Sequence, residues 1–169
     1  RYHSNKETGT MTKKYKHPNR ETWMLAAIDA QRDAFKQAGG IIPAKIRVSI
    51  GFPGGGSPRK RIGECWSGSA SADGVVSMFV SPTLAETTGP VSILAVLVHE
   101  LVHAVGHMNH KAGFKKLALA VGLEGKMTAT VAGEALNKRL VTLAKALGPW
   151  PGSRLDLSKA PTKKQTTRL

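Results

Sequence analysis

The residues best suited to chemistry lie in one run of the chain, Val91-Ser-Ile-Leu-Ala-Val-Leu-Val-His99-Glu100-Leu-Val-His103-Ala-Val-Gly106-His107. Pro90 suits the first position of a helix, and a helix from there to about residue 107 would be apolar almost all round, a pattern that belongs in a core. His99, Glu100 and His103 interrupt its most apolar part, where burying them without partners costs several kcal/mol. A metal ion satisfies them directly. Residues four apart share a helix face, so His99 and His103 can both reach one zinc at ~2.0–2.1 Å. Glu100 is displaced around the helix and stands beside the metal, where a carboxylate can take a proton from a zinc-bound water and pass it to a leaving amine. HExxH alone arises by chance in roughly one chain in a hundred of this composition, and the competing reading is two core histidines bonded to backbone beside a stray glutamate. The expected buried helix removes much of that risk.

A catalytic zinc takes a third protein ligand and keeps a fourth position open. The candidates are His107, Asn109, His110 and Glu134. His107 continues the i, i+4, i+8 row, but its Cα would lie ~12 Å along the axis from that of His99, too far for one straight helix to close three imidazoles on one ion. Asn109 stands where the metzincin pattern HExxHxxGxxH has its third histidine; Gly106 fits that pattern and the Asn breaks it. His110 lies past the expected helix end, at the entrance of a second helix over 112–121, and a turn there swings it back over the metal. Met127 could floor the metal, although such a Met is more often ordinary core.

These residues need a scaffold, and the periodicities supply one. Met24, Ala27, Ile28, Ala34, Phe35 and Ala38 form a helical stripe over 21–38 that stops at Gly39-Gly40. Residues 45–50 alternate, with Ile46, Val48 and Ile50 on one face, and read as a strand. A Pro-Gly-Gly-Gly loop carrying Arg59, Lys60 and Arg61 leads to strands over 62–66 and 75–80, with an Asp73-Gly74 turn between them. Cys65 reads as a buried strand thiol, and Trp66 and Phe79 as core aromatics. A last helix over 131–147 aligns Leu136, Leu140, Leu143 and Leu147 for packing. The fold class is therefore α+β: a three-stranded sheet packed against helices, with the HExxH helix in the core. The metal is expected in a cleft between that helix and a sheet edge, with 75–80 as the edge strand that an extended peptide could join.

Composition sets the outer limits. The chain has 169 residues, of which 41% are hydrophobic, enough for one domain with a real core. No apolar run is long enough to span a membrane, and the polar, basic start has no apolar signal-peptide segment. The single cysteine rules out an internal disulfide framework and points to a reducing cytoplasm. Lys and Arg number 25 against 11 Asp and Glu, a formal charge of +14. Residues 1–20 carry +5 and residues 154–169 carry +4, so basic arms flank a milder body spanning 21–150. Such arms suit a polyanion, nucleic acid before membrane surface. Arg59, Lys60, Arg61, Lys163 and Lys164 are the candidate contacts; solvated, inert arms are the rival explanation.

His99-Glu-Leu-Val-His103, followed after six residues by His110-Lys-Ala-Gly-Phe114-Lys-Lys-Leu-Ala, resembles the SprT-like metalloproteases, which include the Spartan proteases that degrade proteins crosslinked to DNA. In that family a third histidine opens an H-x-x-x-F segment, here His110 to Phe114. Gly63-Glu-Cys-Trp66, the turn at 71–74 and Gly122-Leu-Glu-Gly-Lys-Met-Thr-Ala-Thr130 look most like the small members encoded by bacteriophages and prophages, which would place the protein in a host cytoplasm. The resemblance covers about residues 20–169. It implies a zincin-like domain over 21–150 between a basic arm (1–20) and a basic tail (151–169), with Zn2+ on His99, His103 and His110, and Glu100 as proton acceptor. It also implies a peptidase acting on DNA-associated proteins. Two features depart from the family: no cysteine follows Cys65 in these 169 residues, so the zinc ribbon many members carry is not among them, as expected of a shortened form, a fragment that lost the ribbon or a lineage without one, and His107 is an extra histidine beside the motif. Two rival functions remain, a non-catalytic zinc-stabilised nucleic-acid-binding module and a metallopeptidase without a DNA role.

Overall fold

Asn19 opens the first helix. Its side chain accepts a hydrogen bond from Thr22 N at 2.8 Å, and the Thr22 hydroxyl reaches back to the Asn19 backbone, a reciprocal cap that satisfies two otherwise orphaned donors. Helix α1 (Arg20–Gln37) then runs to the glycine stop, where Gly39 adopts φ +85°. The computed structural model describes residues 15–52, 62–84, 89–153 and 155–159. The strands are β1 (Ile46–Ile50), β2 (Gly63–Trp66), β3 (Val76–Val80), β4 (Leu123–Lys126) and β5 (Ala129–Ala132). The other helices are α2 (Gly89–Ala104), α3 (Ala112–Ala120) and α4 (Glu134–Leu147). Together they make a small α+β fold with four helices and a three-stranded mixed sheet. No described helix is long and apolar enough to cross a membrane.

The core forms where the helical stripes meet the sheet. Trp23, Met24 and Ala27 of α1, Leu94, Leu97, Val98, Leu101 and Val102 of α2, Met78 and Val80 of β3 and Leu140 of α4 have no solvent exposure. Each large aliphatic side chain buried in this way contributes roughly 1.5–3 kcal/mol. The α4 stripe packs as its spacing predicts, with Leu136, Leu140 and Leu147 buried and Leu143 partly buried. Residues after α4 dock on α1: Trp23 Nε1 donates to Gly148 O at 3.1 Å, and the Trp23 and Trp150 rings meet edge to face at 5.0 Å.

The sheet order is β1-β3-β2, with β1 parallel and β2 antiparallel to β3. The strand expected at the edge is therefore the central one. Physically this is the better place for it, because Met78 and Val80 are fully buried and Ser77 beneath the opposite face is 9% exposed. Strand β2, short and carrying a glycine and a charge, forms an edge among the described residues. Ser81 N donates to Ile62 O across this ladder. Antiparallel pairs alternate, so Gly63 and Cys65 turn their N–H and C=O groups away from β3. Trp66 and Phe79 are not core aromatics: they lie on the sheet face away from the helices, Trp66 is 47% exposed and Phe79 is half-buried.

Two boundaries differ from the expected ones. Helix α2 ends at Ala104 rather than near 107, because Gly106 takes φ +122° and turns the chain away. The segment read as the start of the last helix is instead strand β5. It pairs with β4 in a tight hairpin in the register Leu123↔Ala132, and α4 begins only after Gly133. The β-branched Thr130 and Val131 favour that strand.

Candidate metal centre

The stop at Gly106 brings the third histidine home. From there the chain turns back along α2, and His110 arrives two residues before α3 begins. Its Nε2 lies 3.2 Å from His103 Nε2 and 3.2 Å from His99 Nε2. Phe114, one turn into α3 and 1% exposed, lies against all three imidazoles, with ring centroids 4.9, 4.6 and 4.7 Å away. It forms a dry floor that fixes how the rings can tilt. Glu134 is excluded as a ligand here, since it is exposed and paired with Lys138 at 2.7 Å. The Asn109 side chain turns to its own loop and accepts from Lys111 N.

The far nitrogens of the two helical histidines are held as well. His103 Nδ1–H donates to the His107 carbonyl at 2.6 Å, so its Nε2 carries the lone pair. His99 Nδ1 lies 2.8 Å from the Thr130 hydroxyl on β5. His107 thus contributes its carbonyl, and its ring packs over Gly113 instead of joining the cluster. Burial pushes His99 down to about 4, with His103 and His110 adding to the shift. Burial lowers His103 and His110 too. The three imidazoles are therefore neutral near pH 7, the form a metal requires.

This arrangement fits a cation. His110 Nε2 touches both other nitrogens, yet a single N–H can serve only one of them, so neutral imidazoles alone would leave lone pairs facing each other. A tetrahedral ion with ~2.0–2.1 Å bonds holds its nitrogens about 3.3–3.4 Å apart, close to the spacing found. The His99, His103 and His110 group can hold a metal ion.

The cluster opens into a cleft of about 410 Å³, bordered by Ile62, Gly63, Glu64 and Cys65 of the β2 edge on one side and by Thr128, Ala129 and Thr130 of the hairpin on the other. Val96, Met108 and Glu100, which is 6% exposed, complete the lining. Cys65 is half-buried, and its thiol is pushed up to about 12 by burial and then by the Glu100 carboxylate. It is a neutral neighbour of the cluster. Met127 sits in the hairpin turn, packs on the core and does not line the cleft. Arg59, Lys60, Arg61, Lys163 and Lys164 lie outside the described residues. Thr130 and Gly63 escaped sequence reasoning: Thr130 is 31 positions from the histidine it holds, and a strand glycine carries no chemical signal of its own. No protein-family model, curated protein or solved structure matches the chain.

Proposed function

We propose that the protein is a zinc-dependent endopeptidase of the SprT-like, zincin type. The observation that carries this reading is the convergence of His99, His103 and His110 in the same cleft as a buried glutamate and a strand that forms a sheet edge among the described residues. A purely structural site needs neither the glutamate nor the cleft. His99, His103 and His110 hold the zinc. When bound, zinc supplies Lewis acidity, polarising a peptide carbonyl and making water acidic enough to lose a proton near neutral pH. An extended polypeptide pairs with β2 through the outward N–H and C=O groups of Gly63 and Cys65 and lies across the cleft. Glu100 accepts the proton of the attacking water and returns it to the amide nitrogen as the C–N bond breaks. The His107 carbonyl keeps His103 in the ligating tautomer, and Thr130 orients the His99 ring.

Charge supports one substrate class. A net +14 attracts polyanions and raises the local concentration of whatever is bound to them, so proteins associated with DNA are the proposed substrates. The test is proteolysis of a basic DNA-binding protein by the zinc-loaded chain, with and without single-stranded DNA. Glu100→Gln should keep its zinc and lose about 10²- to 10⁴-fold in rate. Cleavage that ignores DNA keeps the peptidase and removes the DNA role. Equal inertness of wild type and variant, with tight DNA binding, replaces both with a zinc-stabilised binding module.

A further inference from the structure

Gly63 is a glycine for reasons of space. Its backbone lies outside the left-handed region that Gly106, Gly122 and six other described glycines occupy, and it pairs in register with Val80 as an ordinary strand residue. Glycine weakens a strand relative to alanine, so something must hold this position open. Glu100 does. A Cβ on Gly63 would overlap the Glu100 Oε1 atom and would stand 3.0 Å from both Cγ and Cδ. Other glycines also lie under side chains: Gly40 under Leu117, Gly113 under His107 and Gly133 under Glu124. Of these, Gly63 alone borders the metal cleft, and the side chain resting on it is the cleft's carboxylate.

The main chain of the same residue faces away from β3, on the side where β2 is the sheet edge among the described residues, because Ile62 and Glu64, not Gly63, make the ladder bonds to Ser81 and β3. Two functions thus meet at one Cα. Building on the peptidase reading above, we propose that Gly63 is a positioning residue. Its missing side chain lets α2 press the Glu100 carboxylate against the strand edge, at the point where an extended polypeptide pairs with β2. Proton acceptor and substrate backbone are brought together there, and the peptide bond to be cut passes Gly63.

Gly63→Ala is the test, because it keeps the N–H and the C=O that pair with substrate and favours the strand, while displacing the carboxylate. In the zinc-loaded full chain kcat should fall about a hundredfold, the cost of misplacing a catalytic group by about 1 Å. KM and zinc affinity should stay near wild type, since neither the pairing groups nor the three histidines move. A second measurement does not depend on activity. Gly63→Ala should lower the thermal midpoint by several degrees in the wild-type chain and leave it unchanged or raise it in a Glu100→Ala chain, where the occupied space is vacated. A Gly63→Ala chain that folds only in the Glu100→Ala background supports the proposal equally. Additive shifts of the midpoint, failure to fold in both backgrounds, or wild-type kcat in Gly63→Ala would overturn it. If the wild-type chain cleaves nothing while the midpoints remain coupled, the Gly63–Glu100 contact stands and the peptidase reading is what fails.

Discussion

At the scale of single residues, what distinguishes this cluster from three chance histidines is the support on their far sides. Thr130 holds His99, the His107 carbonyl holds His103, and Phe114 lies beneath all three rings. Outer-shell partners of ligating histidines are worth about 10- to 100-fold in metal affinity. Thr130→Val, which keeps the shape and removes the hydroxyl, should therefore weaken zinc binding by that factor in a competition titration with a chromophoric chelator. Thr130→Ser should restore most of it, and equal losses in both variants would reduce Thr130 to a packing role. Cys65 makes a contrasting case. Its thiol is held up at about 12 by burial and by Glu100, so its thiolate fraction at pH 8 is minute and thiolate is the reactive species. Alkylation of the native chain by iodoacetamide at pH 8 should be far slower than that of the urea-unfolded chain. Comparable rates would mean that the thiol is open to solvent and ionised.

Elements are where sequence reading succeeds and fails for identifiable reasons. Helix α2 was legible because sixteen largely apolar residues tolerate His99, Glu100 and His103 only with a partner for them. The third histidine of the group was legible too, because His110 follows the helix at a distance a turn can close. Three things were not. The hairpin β4–β5 consists of two four-residue strands with a glycine in one of them, too short to show a period of two. The strand order depends on pairing between distant segments, which local alternation does not report. The true end of α2 hinges on the backbone of Gly106, whose φ of +122° only glycine adopts freely. That last point is testable. Gly106→Ala should cost about 1–2 kcal/mol of stability and shift the His107 carbonyl off His103 Nδ1. Zinc affinity should fall together with the thermal midpoint. A midpoint that falls while zinc affinity holds would show that the turn and the metal site are uncoupled.

For the molecule as a whole, α2 carries two of the three histidines and packs against α1, α3, α4, the β2 edge and the hairpin, so a ligand held there is felt throughout the fold. Zinc bound to the native state alone adds about 4 kcal/mol at free metal a thousandfold above Kd, a shift of the thermal midpoint on the order of 10 °C. Chelation should remove it reversibly. Proton uptake acts in the same direction. His99 is pushed down from 6.5 to about 4, so between those values the unfolded chain binds a proton that the native state refuses. The stability this residue contributes is thus complete above pH 6.5 and is lost as pH falls towards 4. Metal loss steepens the fall, because each imidazole must give up its proton before it can ligate. The urea midpoint of the metal-free chain should therefore drop between pH 7.5 and 4.5, and that of the zinc-loaded chain should drop further. In the metal-free chain His99→Asn should flatten the decline, since asparagine does not titrate. A metal-free chain equally stable at both pH values would mean that His99 is already open to water, and the dry floor provided by Phe114 would have to be abandoned with it.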